Sequence, residues 1–369
     1  MGLSRREYRV TILPGDGVGP EVIAVGERVL GEVAKRFSLA AALSRGEIGQ
    51  CAVERHGVPL TPETLTEAQH SDAVLLGAVG GPEPDKSRYA ARPEAGLLAL
   101  RKGLDLYANL RPVRILPPLV DASPLKPAWV AGADLLVVRE LLGGVYFGEP
   151  RGRKSCGQGD EIAFNTMSYT ASQIERVVRL AFGLARQRTR RLVSVDKANV
   201  LEVSLLWRDV VNRVRQEFQD VELSHQYVDN CAMQLIQQPR RFDVIVTGNL
   251  FGDILSDEAA VLAGSIGMLP SASLGSRGSL YEPVHGSAPD IAGKDIANPL
   301  ATVLSVAMMF RYAFNVQEAS ELIERAVLRT LEAGYRTADI YTEGMVRVGT
   351  REMGDRVLDE IARSGAGPA

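Results

Sequence analysis

The feature that most constrains the fold of this 369-residue chain is an alternation of short apolar segments with amphipathic segments of helical period. Tyr8 to Leu13 is mostly apolar and ends at a Pro-Gly-Asp-Gly turn, after which a helical pattern starts near Pro20. Further along, the helical period of Ser172 to Arg188 leads into the apolar segment Leu192 to Val195. Strands that alternate with helices of this length are typical of an α/β fold with much parallel sheet.

Composition narrows the class of protein. The length predicts about two domains, and 46% hydrophobic with 24% charged residues is ordinary for a globular chain. A net charge of −3 offers no basic field for nucleic acid or a membrane surface. The partner we expect is therefore a small molecule, which a local arginine cluster would bind if it is anionic.

Cysteine use and the N-terminus indicate a cytoplasmic protein. The three cysteines (Cys51, Cys156 and Cys231) are odd in number and form no CxxC motif, so a disulfide framework or a thiolate zinc site is not expected. Met1 to Arg9 is polar and lacks the apolar core of a signal peptide, and no stretch approaches 18 uninterrupted apolar residues.

A glycine cluster near the N-terminus resembles a dinucleotide-binding fingerprint but departs from it. The third glycine of that fingerprint stands three residues after the second, whereas Gly19 stands two residues after Gly17 and precedes a proline. We therefore reject a Rossmann dinucleotide-binding site at this turn.

The run from Asp243 to Asp257 carries the strongest chemical signal. An apolar strand, Val244 to Val246, leads through a Gly-Asn turn to a helix predicted to begin near Asp253. Asp253 and Asp257 are four residues apart and share one helix face, where two carboxylates repel each other unless a cation lies between them. Hard oxygen ligands suit Mg²⁺ or Mn²⁺. The alternative is that Asp253 caps the helix and Asp257 is solvated.

Three arginines are candidates for binding carboxylates, which guanidinium groups contact in a bidentate manner. They are Arg101, Arg111, which follows a predicted strand, and Arg139, which ends one. Tyr146 is close enough in sequence to Arg139 to share its site. Each arginine taken alone is more often an ordinary surface residue.

Two further polar residues follow predicted strands. Lys197 comes directly after Leu192 to Val195, and Asp229 ends the predicted strand Val221 to Val228. The carboxyl ends of strands are where open α/β sheets place their ligands, so Lys197 is a candidate base and Asp229 a third carboxylate for a cation.

A loop of small residues, Glu282 to Gly293, has binding potential for a flat ligand. His285 can stack on an adenine, and Asp290 can accept hydrogen bonds from a ribose diol while repelling a 2′-phosphate. By itself this pattern indicates only modest binding potential.

Taken together, these segments resemble the isocitrate/isopropylmalate dehydrogenase family of β-decarboxylating dehydrogenases. The resemblance runs from about Val10 into the C-terminal helices and is carried by five segments: Leu75 to Pro82, Gly144 to Gly152, Val195 to Glu202, Gly248 to Asp257 and Glu282 to Asn298. Leu142, where threonine is expected, and Cys231 are small departures that remove no catalytic group.

The resemblance implies a two-domain α/β fold with a discontinuous large domain, which is not a Rossmann fold. Residues 1–106 and 265–369 would form the large, NAD-binding domain, and residues 107–264 the small domain. The small domain would carry the contacts of a homodimer with shared active sites. Glu149 to Asn165, which the sequence alone leaves as a long loop or a protruding arm, would pair with its counterpart in the second copy.

The resemblance also implies roles for the residues above. Arg101, Arg111 and Arg139 would hold malate carboxylates, and Tyr146 would be the acid. Lys197 of the second copy would be the base, and Asp253 and Asp257 would bind Mg²⁺ or Mn²⁺ with Asp229 of the second copy. The group that selects the substrate would be Glu94, Leu97 and Leu98 with Val200 of the second copy. NAD would contact Gly80, Gly81, Glu282, His285, Gly286, Ser287, Ala288, Asp290 and Asn298.

The expected reaction is the NAD-dependent oxidative decarboxylation of (2R,3S)-3-isopropylmalate to 4-methyl-2-oxopentanoate and CO₂, a step of leucine biosynthesis. The runner-up is a related enzyme that acts on tartrate or D-malate. A catalytically silent regulatory subunit is an alternative of another class, but such a relative is expected to lack acid, base or metal ligands, and these are all present here.

Overall fold

The computed structural model describes residues 7–81, 92–157 and 159–364. Pro82, the last residue of one matching segment, and residues 1–6 of the polar N-terminus lie outside these ranges. The chain divides into two compact units: unit 1 comprises Met1–Leu106, Ile115–Ala131 and Ala260–Ala369, and unit 2 comprises Tyr107–Arg114 and Gly132–Ala259. Residues 115–131 and 260–264, which the sequence-based boundaries assigned to the small domain, group with unit 1.

The helices and strands of the described residues alternate along most of the chain. The helices are α1 (Gly19–Arg36), α2 (Gln50–His56), α3 (Pro62–Gln69), α4 (Pro93–Gly103), α5 (Pro127–Val130), α6 (Ala171–Arg186), α7 (Glu202–Arg215), α8 (Val228–Gln237), α9 (Asn249–Leu262), α10 (Leu300–Tyr312), α11 (Gln317–Glu332) and α12 (Thr350–Arg363). The strands are β1 (Glu7–Gly15), β2 (Ala40–Arg45), β3 (Ala73–Ala78), β4 (Leu106–Arg114), β5 (Asp134–Glu140), β6 (Gly152–Gly157), β7 (Asp160–Phe164), β8 (Arg191–Asp196), β9 (Glu222–Tyr227), β10 (Val244–Thr247), β11 (Pro270–Gly275), β12 (Ser279–Pro283), β13 (Tyr335–Arg336) and β14 (Val346–Arg347).

In unit 1 the neighbouring strands follow the order β2-β1-β3-β12-β11. The pairs up to β3–β12 are parallel, and β12 pairs with β11 in the antiparallel sense. Helix α10 is buried along almost its whole length, which is why its sequence is apolar all round rather than amphipathic. The α/β class with much parallel sheet is therefore confirmed.

In unit 2 the order is β4-β5-β10-β8-β9, with β4 antiparallel to β5 and the other pairs parallel. The carboxyl ends of β5, β10, β8 and β9 consequently lie along one edge of the sheet, which is where open α/β sheets bind ligands. No helix among the described residues is long and apolar enough to cross a membrane.

Three predicted element boundaries are wrong, and each error concerns a candidate site residue. Helix α9 begins at Asn249, so Asp253 lies in the second turn and does not cap the helix, as one alternative held. Arg111 lies inside β4 instead of following a strand. Strand β9 ends at Tyr227, and Asp229 belongs to the first turn of α8.

The stretch from Glu149 to Asn165 contains an antiparallel hairpin of β6 and β7, whose side chains are almost all exposed. The alternative of a long loop is therefore wrong. An exposed hairpin whose two strands pair with each other can form a protruding arm. Its role in a dimer stays a prediction.

Candidate active site

The principal site of unit 2 is a group of five side chains that we call the arginine–aspartate cluster: Arg111, Arg139, Tyr146, Asp253 and Asp257. Two of them come from α9, where four-residue spacing stacks the carboxylates on one face. The two arginines come from paired strands: Arg111 of β4 lies opposite Val137 of β5, two residues before Arg139. Residues that face each other across strands, and residues two apart along a strand, share a side of the sheet, so both guanidinium groups point the same way.

Arg111 joins the two aspartates. Its Nη1 donates to Oδ1 of Asp257 at 2.9 Å and to Oγ of Ser256 at 2.7 Å, and its Nη2 lies 3.3 Å from Oδ1 of Asp253. Its Nε donates to Oδ1 of Asn109 at 2.8 Å. The side chain of Arg111 is 8% exposed, and these hydrogen bonds hold its guanidinium group in place.

Arg139 is almost fully buried and contacts the same carboxylate. It forms a short hydrogen bond to Oδ1 of Asp253, and its Nε and Nη2 donate to Oδ1 of Asn249 at 3.0 and 2.8 Å. The hydroxyl of Tyr146 donates to Oδ2 of Asp253 at 2.8 Å. The guanidinium carbon of Arg139 lies 5.7 Å from the centroid of the Tyr146 ring, so guanidinium, phenol and carboxylate groups lie close together.

The formal charges of the cluster cancel, since two guanidinium groups face two carboxylates. Such a neutral cluster can accept a divalent cation together with a dicarboxylate, because that pair is also neutral. Burial raises the pKa of Asp257 above its ordinary value, and the charge of Asp253 adds to the shift, while Arg111 opposes it. A cation between the two carboxylates would relieve this repulsion, and their oxygens are hard ligands of the type that Mg²⁺ and Mn²⁺ prefer.

Lys197 and Asp229 form a second, separate pair in unit 2. The Nζ of Lys197 lies 3.0 Å from Oδ2 of Asp229, and this hydrogen bond holds the pKa of Asp229 below its usual value. In the described parts of the chain, no three His, Cys, Asp or Glu side chains are grouped so as to hold a metal ion. One copy of the chain therefore does not bring Asp229 together with Asp253 and Asp257.

Arg101 lies in unit 1, on α4. Its Nη2 donates to Oε1 of Glu282 at 3.0 Å, and its buried Nε has no hydrogen-bond partner among the described residues. Glu94 is exposed on the same helix, and Leu97 and Leu98 are half-buried. The leucine pair is therefore not ordinary helix core, because core side chains of this helix such as Leu100 are fully buried.

Two glycine-rich turns of unit 1 meet at Ser287. The N–H of Val18 donates to the carbonyl of Ser287 at 2.8 Å. Gly17 has φ +58°, and a Cβ at this position would lie 1.9 Å from that carbonyl oxygen, so only glycine fits. A Cβ on Gly80, which has φ +150°, would lie 3.0 Å from Oγ of Ser287. The predicted cofactor residues Gly80 and Ser287 are therefore neighbours.

The remaining predicted cofactor residues occupy the same stretch of unit 1. Burial lowers the pKa of His285; its Nδ1 lies 2.9 Å from the carbonyl of Gly286, and its buried Nε2 has no hydrogen-bond partner in the described ranges. The others are half-buried Gly81, exposed Gly286, half-buried Ala288, exposed Asp290 and buried Asn298. An imidazole with an unpartnered nitrogen beside open small residues fits an aromatic base with polar edges.

Two acidic residues that organise these sites went unrecognised in the sequence. The carboxylate of Asp16, in the rejected glycine fingerprint, accepts N–H groups of Gln50 at 2.8 Å, Cys51 at 2.9 Å and Gly80 at 2.9 Å. The sequence signal for this role was an acidic residue between two turn glycines. The partners of Asp16 could not be identified from it, because they lie 34 to 64 residues away in sequence.

The second is Glu140, which follows Arg139 at the end of β5. It accepts the N–H groups of Leu142 at 2.9 Å and Gly143 at 2.8 Å, and so shapes the turn that leads to Tyr146. Burial raises the pKa of Glu140 to about 7, although these two donors oppose the shift.

Comparison with known proteins gives independent evidence for the family to which the chain belongs. Residues 9–357 match the family model described as isocitrate/isopropylmalate dehydrogenase. A 3-isopropylmalate dehydrogenase of Synechococcus sp. (strain JA-3-3Ab) is 58% identical over 364 residues, which cover 98% of this chain and 96% of the relative. That of Aquifex aeolicus (strain VF5) is 54% identical over 358 residues, covering 97% and 98%. The crystal structure of isocitrate dehydrogenase from Methylococcus capsulatus has a TM-score of 0.85 at 32% identity, covering 96% of this chain and 99% of that one.

Proposed function

Because the chain belongs to the isocitrate/isopropylmalate dehydrogenase family, we propose that it catalyses the oxidative decarboxylation of (2R,3S)-3-isopropylmalate to 4-methyl-2-oxopentanoate and CO₂ in leucine biosynthesis. NAD⁺ is the oxidant and Mg²⁺ or Mn²⁺ the required cation. The observation that supports this proposal is the arginine–aspartate cluster. In it, two guanidinium groups that can bind carboxylates lie beside a proton donor and two carboxylates that can bind a cation.

The choice of 3-isopropylmalate rests on the names of the relatives and on the residues of α4. Relatives at 54–58% identity over nearly the whole chain are 3-isopropylmalate dehydrogenases. Half-buried Leu97 and Leu98 suit an isopropyl group. A γ-carboxylate would lose hydration beside them without a polar partner, and exposed Glu94 would repel it. Val200 of the second copy, which is 69% exposed in one chain, adds apolar surface.

Each side chain has its own role in the proposed reaction. Arg101, Arg111 and Arg139 bind the substrate carboxylates, for which planar guanidinium forks are suited. Lys197 of the second copy accepts the proton of the C2 hydroxyl, directly or through a water molecule, as the alcohol is oxidised. Tyr146 protonates C3 after CO₂ has left. Asp253, which accepts the hydrogen bond from Tyr146, keeps that hydroxyl in place.

Asp253 and Asp257 of one copy and Asp229 of a second copy hold the cation. When bound, the cation supplies Lewis-acid stabilisation of the negative charge that develops on substrate oxygens. Mg²⁺ takes six oxygen ligands, so the two carboxylates of α9 leave positions for a further carboxylate, and among the described residues of one copy no third acidic, histidine or cysteine side chain joins them. This supports a site completed by a second copy.

NAD binds to the turns around Gly80, Gly81 and Ser287 and to the segment from Glu282 to Asn298. When bound, NAD⁺ supplies the hydride acceptor. The unpartnered Nε2 of His285 and the open space at Gly286 support an aromatic base there. Asp290, whose carboxylate is exposed, accepts hydrogen bonds from the ribose diol and excludes a 2′-phosphate by like charge.

The active form is a homodimer in the cytoplasm. Unit 2 exposes large apolar side chains on and beside α7, α8 and α9, among them Val200, Leu205, Leu206, Met233 and Ile254. Apolar side chains exposed on and beside these helices are typical of an interface between copies. The three cysteines are unpaired, which supports a reducing compartment. We expect Met233→Asp to dissociate the dimer in analytical ultracentrifugation, whereas Leu43→Asp, at an exposed leucine of unit 1, should not.

One coupled assay tests the proposed reaction. NADH formation with Mg²⁺ is followed with isopropylmalate, isocitrate, homoisocitrate, tartrate and D-malate as substrates. We expect isopropylmalate to have the highest kcat/KM. A higher value for tartrate or D-malate would favour the runner-up, and no turnover of any of the five acids would favour the silent regulatory subunit.

A further inference from the structure

A buried ion pair stands beside Lys197. Asp196 is the last residue of β8, and its side chain is 1% exposed. Arg208 of α7 binds it with two hydrogen bonds, from Nε to Oδ2 at 3.0 Å and from Nη2 to Oδ1 at 2.8 Å. A bidentate arginine–carboxylate pair fixes orientation as well as distance. Burial of the carboxylate makes the pair obligatory, since an unpaired buried charge is costly.

This pair shapes the turn that carries Lys197. Oδ1 of Asp196 also accepts the N–H of Ala198 at 2.9 Å, and the N–H of Lys197 donates to Oγ of Ser204 at 3.1 Å. The backbone on both sides of the lysine Cα is thus tied to buried or half-buried side chains. Loss of Arg208 would leave Asp196 without its counter-charge and free it to turn away from Ala198.

The same arginine reaches the segment that carries Asp229. The guanidinium carbon of Arg208 lies 5.3 Å from the centroid of the Tyr227 ring. Tyr227 is the partner of Asp196 in the parallel register of β8 and β9, and it is the N-cap residue of α8, whose first turn contains Asp229. One guanidinium group therefore contacts the residue before Lys197 and the residue two positions before Asp229.

We propose that Arg208, through its contacts with Asp196 and Tyr227, is a positioning residue that sets the distance between Lys197 and Asp229. The Lys197–Asp229 contact of 3.0 Å joins a half-buried and an exposed side chain, and its geometry depends on how the backbone segments that carry them are held. The inference rests on the proposed function, in which Lys197 is the base and Asp229 a cation ligand. Arg208 itself touches neither the substrate nor the cofactor in this proposal.

The chain offers a control of similar chemistry for Arg208, at a more exposed ion pair. Arg186, also in unit 2, binds Asp220 in a bidentate manner, with its Nε 2.9 Å from Oδ2 and its Nη2 2.6 Å from Oδ1. Its guanidinium carbon also lies 4.3 Å from the centroid of an aromatic ring, that of Phe218. This arrangement of carboxylate and aromatic ring has the same chemistry, but it borders no predicted site residue.

The test compares Arg208→Gln with Arg186→Gln in the intact enzyme. We expect Arg208→Gln to lower kcat about 10–100-fold, because small displacements of a catalytic group have effects of this size. It should also raise the Mg²⁺ concentration needed for half-maximal rate, while KM for NAD⁺ stays within about twofold, since the cofactor residues belong to unit 1. Arg186→Gln should leave all three quantities nearly unchanged.

Two further variants keep the outcome interpretable. Arg208→Lys retains the charge without the planar guanidinium group, so its kcat should lie between those of the native protein and Arg208→Gln. It replaces Arg208→Gln if that variant does not fold.

Lys197→Met should abolish turnover in a folded protein. If Lys197→Met is active, the proposed role of Lys197 is wrong. If Lys197→Met is inactive but the folded Arg208 variants behave like Arg186→Gln, the proposed function stands and the positioning role of Arg208 is overturned.

Discussion

The hydroxyl of Tyr146 donates a hydrogen bond to Oδ2 of Asp253 at 2.8 Å, across 107 residues of sequence. Asp253 also accepts a short hydrogen bond from Arg139 and lies within 3.3 Å of Arg111. The proposed acid is thus attached directly to a proposed cation ligand. Loss of the Tyr146 hydroxyl should therefore affect chemistry more than folding, because the Asp253 side chain is 30% exposed and water can replace the lost partner.

Tyr146→Phe removes only the hydroxyl of this pair. We expect kcat to fall about 10²–10⁴-fold, the usual contribution of a general acid, with KM for isopropylmalate little changed because the arginines remain. Steady-state kinetics and thermal unfolding measure the two effects. Tyr341→Phe, at an exposed tyrosine of unit 1, is the control and should be neutral. A native kcat for Tyr146→Phe would remove this residue from the mechanism.

Asp253→Asn and Asp257→Asn should each raise the Mg²⁺ concentration required for activity, since one anionic ligand is lost from a hard-cation site. The effect should be larger for Asp253, which contacts Arg111, Arg139 and Tyr146, than for Asp257, whose side chain is 55% exposed. Mg²⁺ titrations of the initial rate give both values, with Asp220→Asn as the control at an exposed ion pair. An unchanged Mg²⁺ requirement in both cluster variants would contradict the proposed cation site.

The raised pKa of Glu140 predicts that the free energy of unfolding depends on pH. Its folded-state pKa is raised to about 7 from an ordinary value of 4.5, so the folded protein binds more protons than the unfolded chain between these values. The free energy of unfolding contributed by this group therefore decreases as pH rises from about 4.5 to 7, by on the order of 3 kcal/mol at most.

The native protein and Glu140→Gln are compared by urea unfolding between pH 5 and 8. We expect the difference in unfolding free energy to shift in favour of the variant as pH rises, because the variant has no carboxylate to ionise. A difference that stays constant over this range would show that Glu140 does not titrate there.

Cofactor preference should depend on Asp290. We expect the native protein to use NAD⁺ far better than NADP⁺, and Asp290→Asn to narrow the ratio of their kcat/KM values, because like-charge repulsion of a 2′-phosphate is removed. Asp359→Asn on α12 removes an exposed carboxylate elsewhere in unit 1 and is the control. Equal use of both cofactors by the native protein would argue against this role.

Substrate preference should depend on Leu98. Burial of a valine-like group contributes roughly 1.5–3 kcal/mol, so Leu98→Ala should lower the preference for isopropylmalate over D-malate by up to about 10–100-fold. The ratio of the two kcat/KM values measures this preference, with Leu43→Ala at an exposed leucine as the control. If truncation leaves the ratio unchanged, the half-buried leucines of α4 do not select the substrate.

Relations over short sequence distances were predictable from the sequence. Helix geometry alone places Asp253 and Asp257 on one face, and the structure has both in α9. The alternation of strands and helices predicted the α/β class, which is confirmed. Even here the start of α9 was misjudged by four residues, because Asn249, which was assigned to a Gly-Asn turn before the helix, is the first residue of the helix.

Relations over long distances were decided by tertiary structure. The contact of Arg111 with Asp257 spans 146 residues and depends on the register of β4 against β5. Register is selected by the burial of whole strands against their neighbours, which no local pattern specifies. For the same reason, the contact of Asp16 with Gly80 in unit 1 and that of Arg208 with Tyr227 in unit 2 became visible only in the tertiary structure.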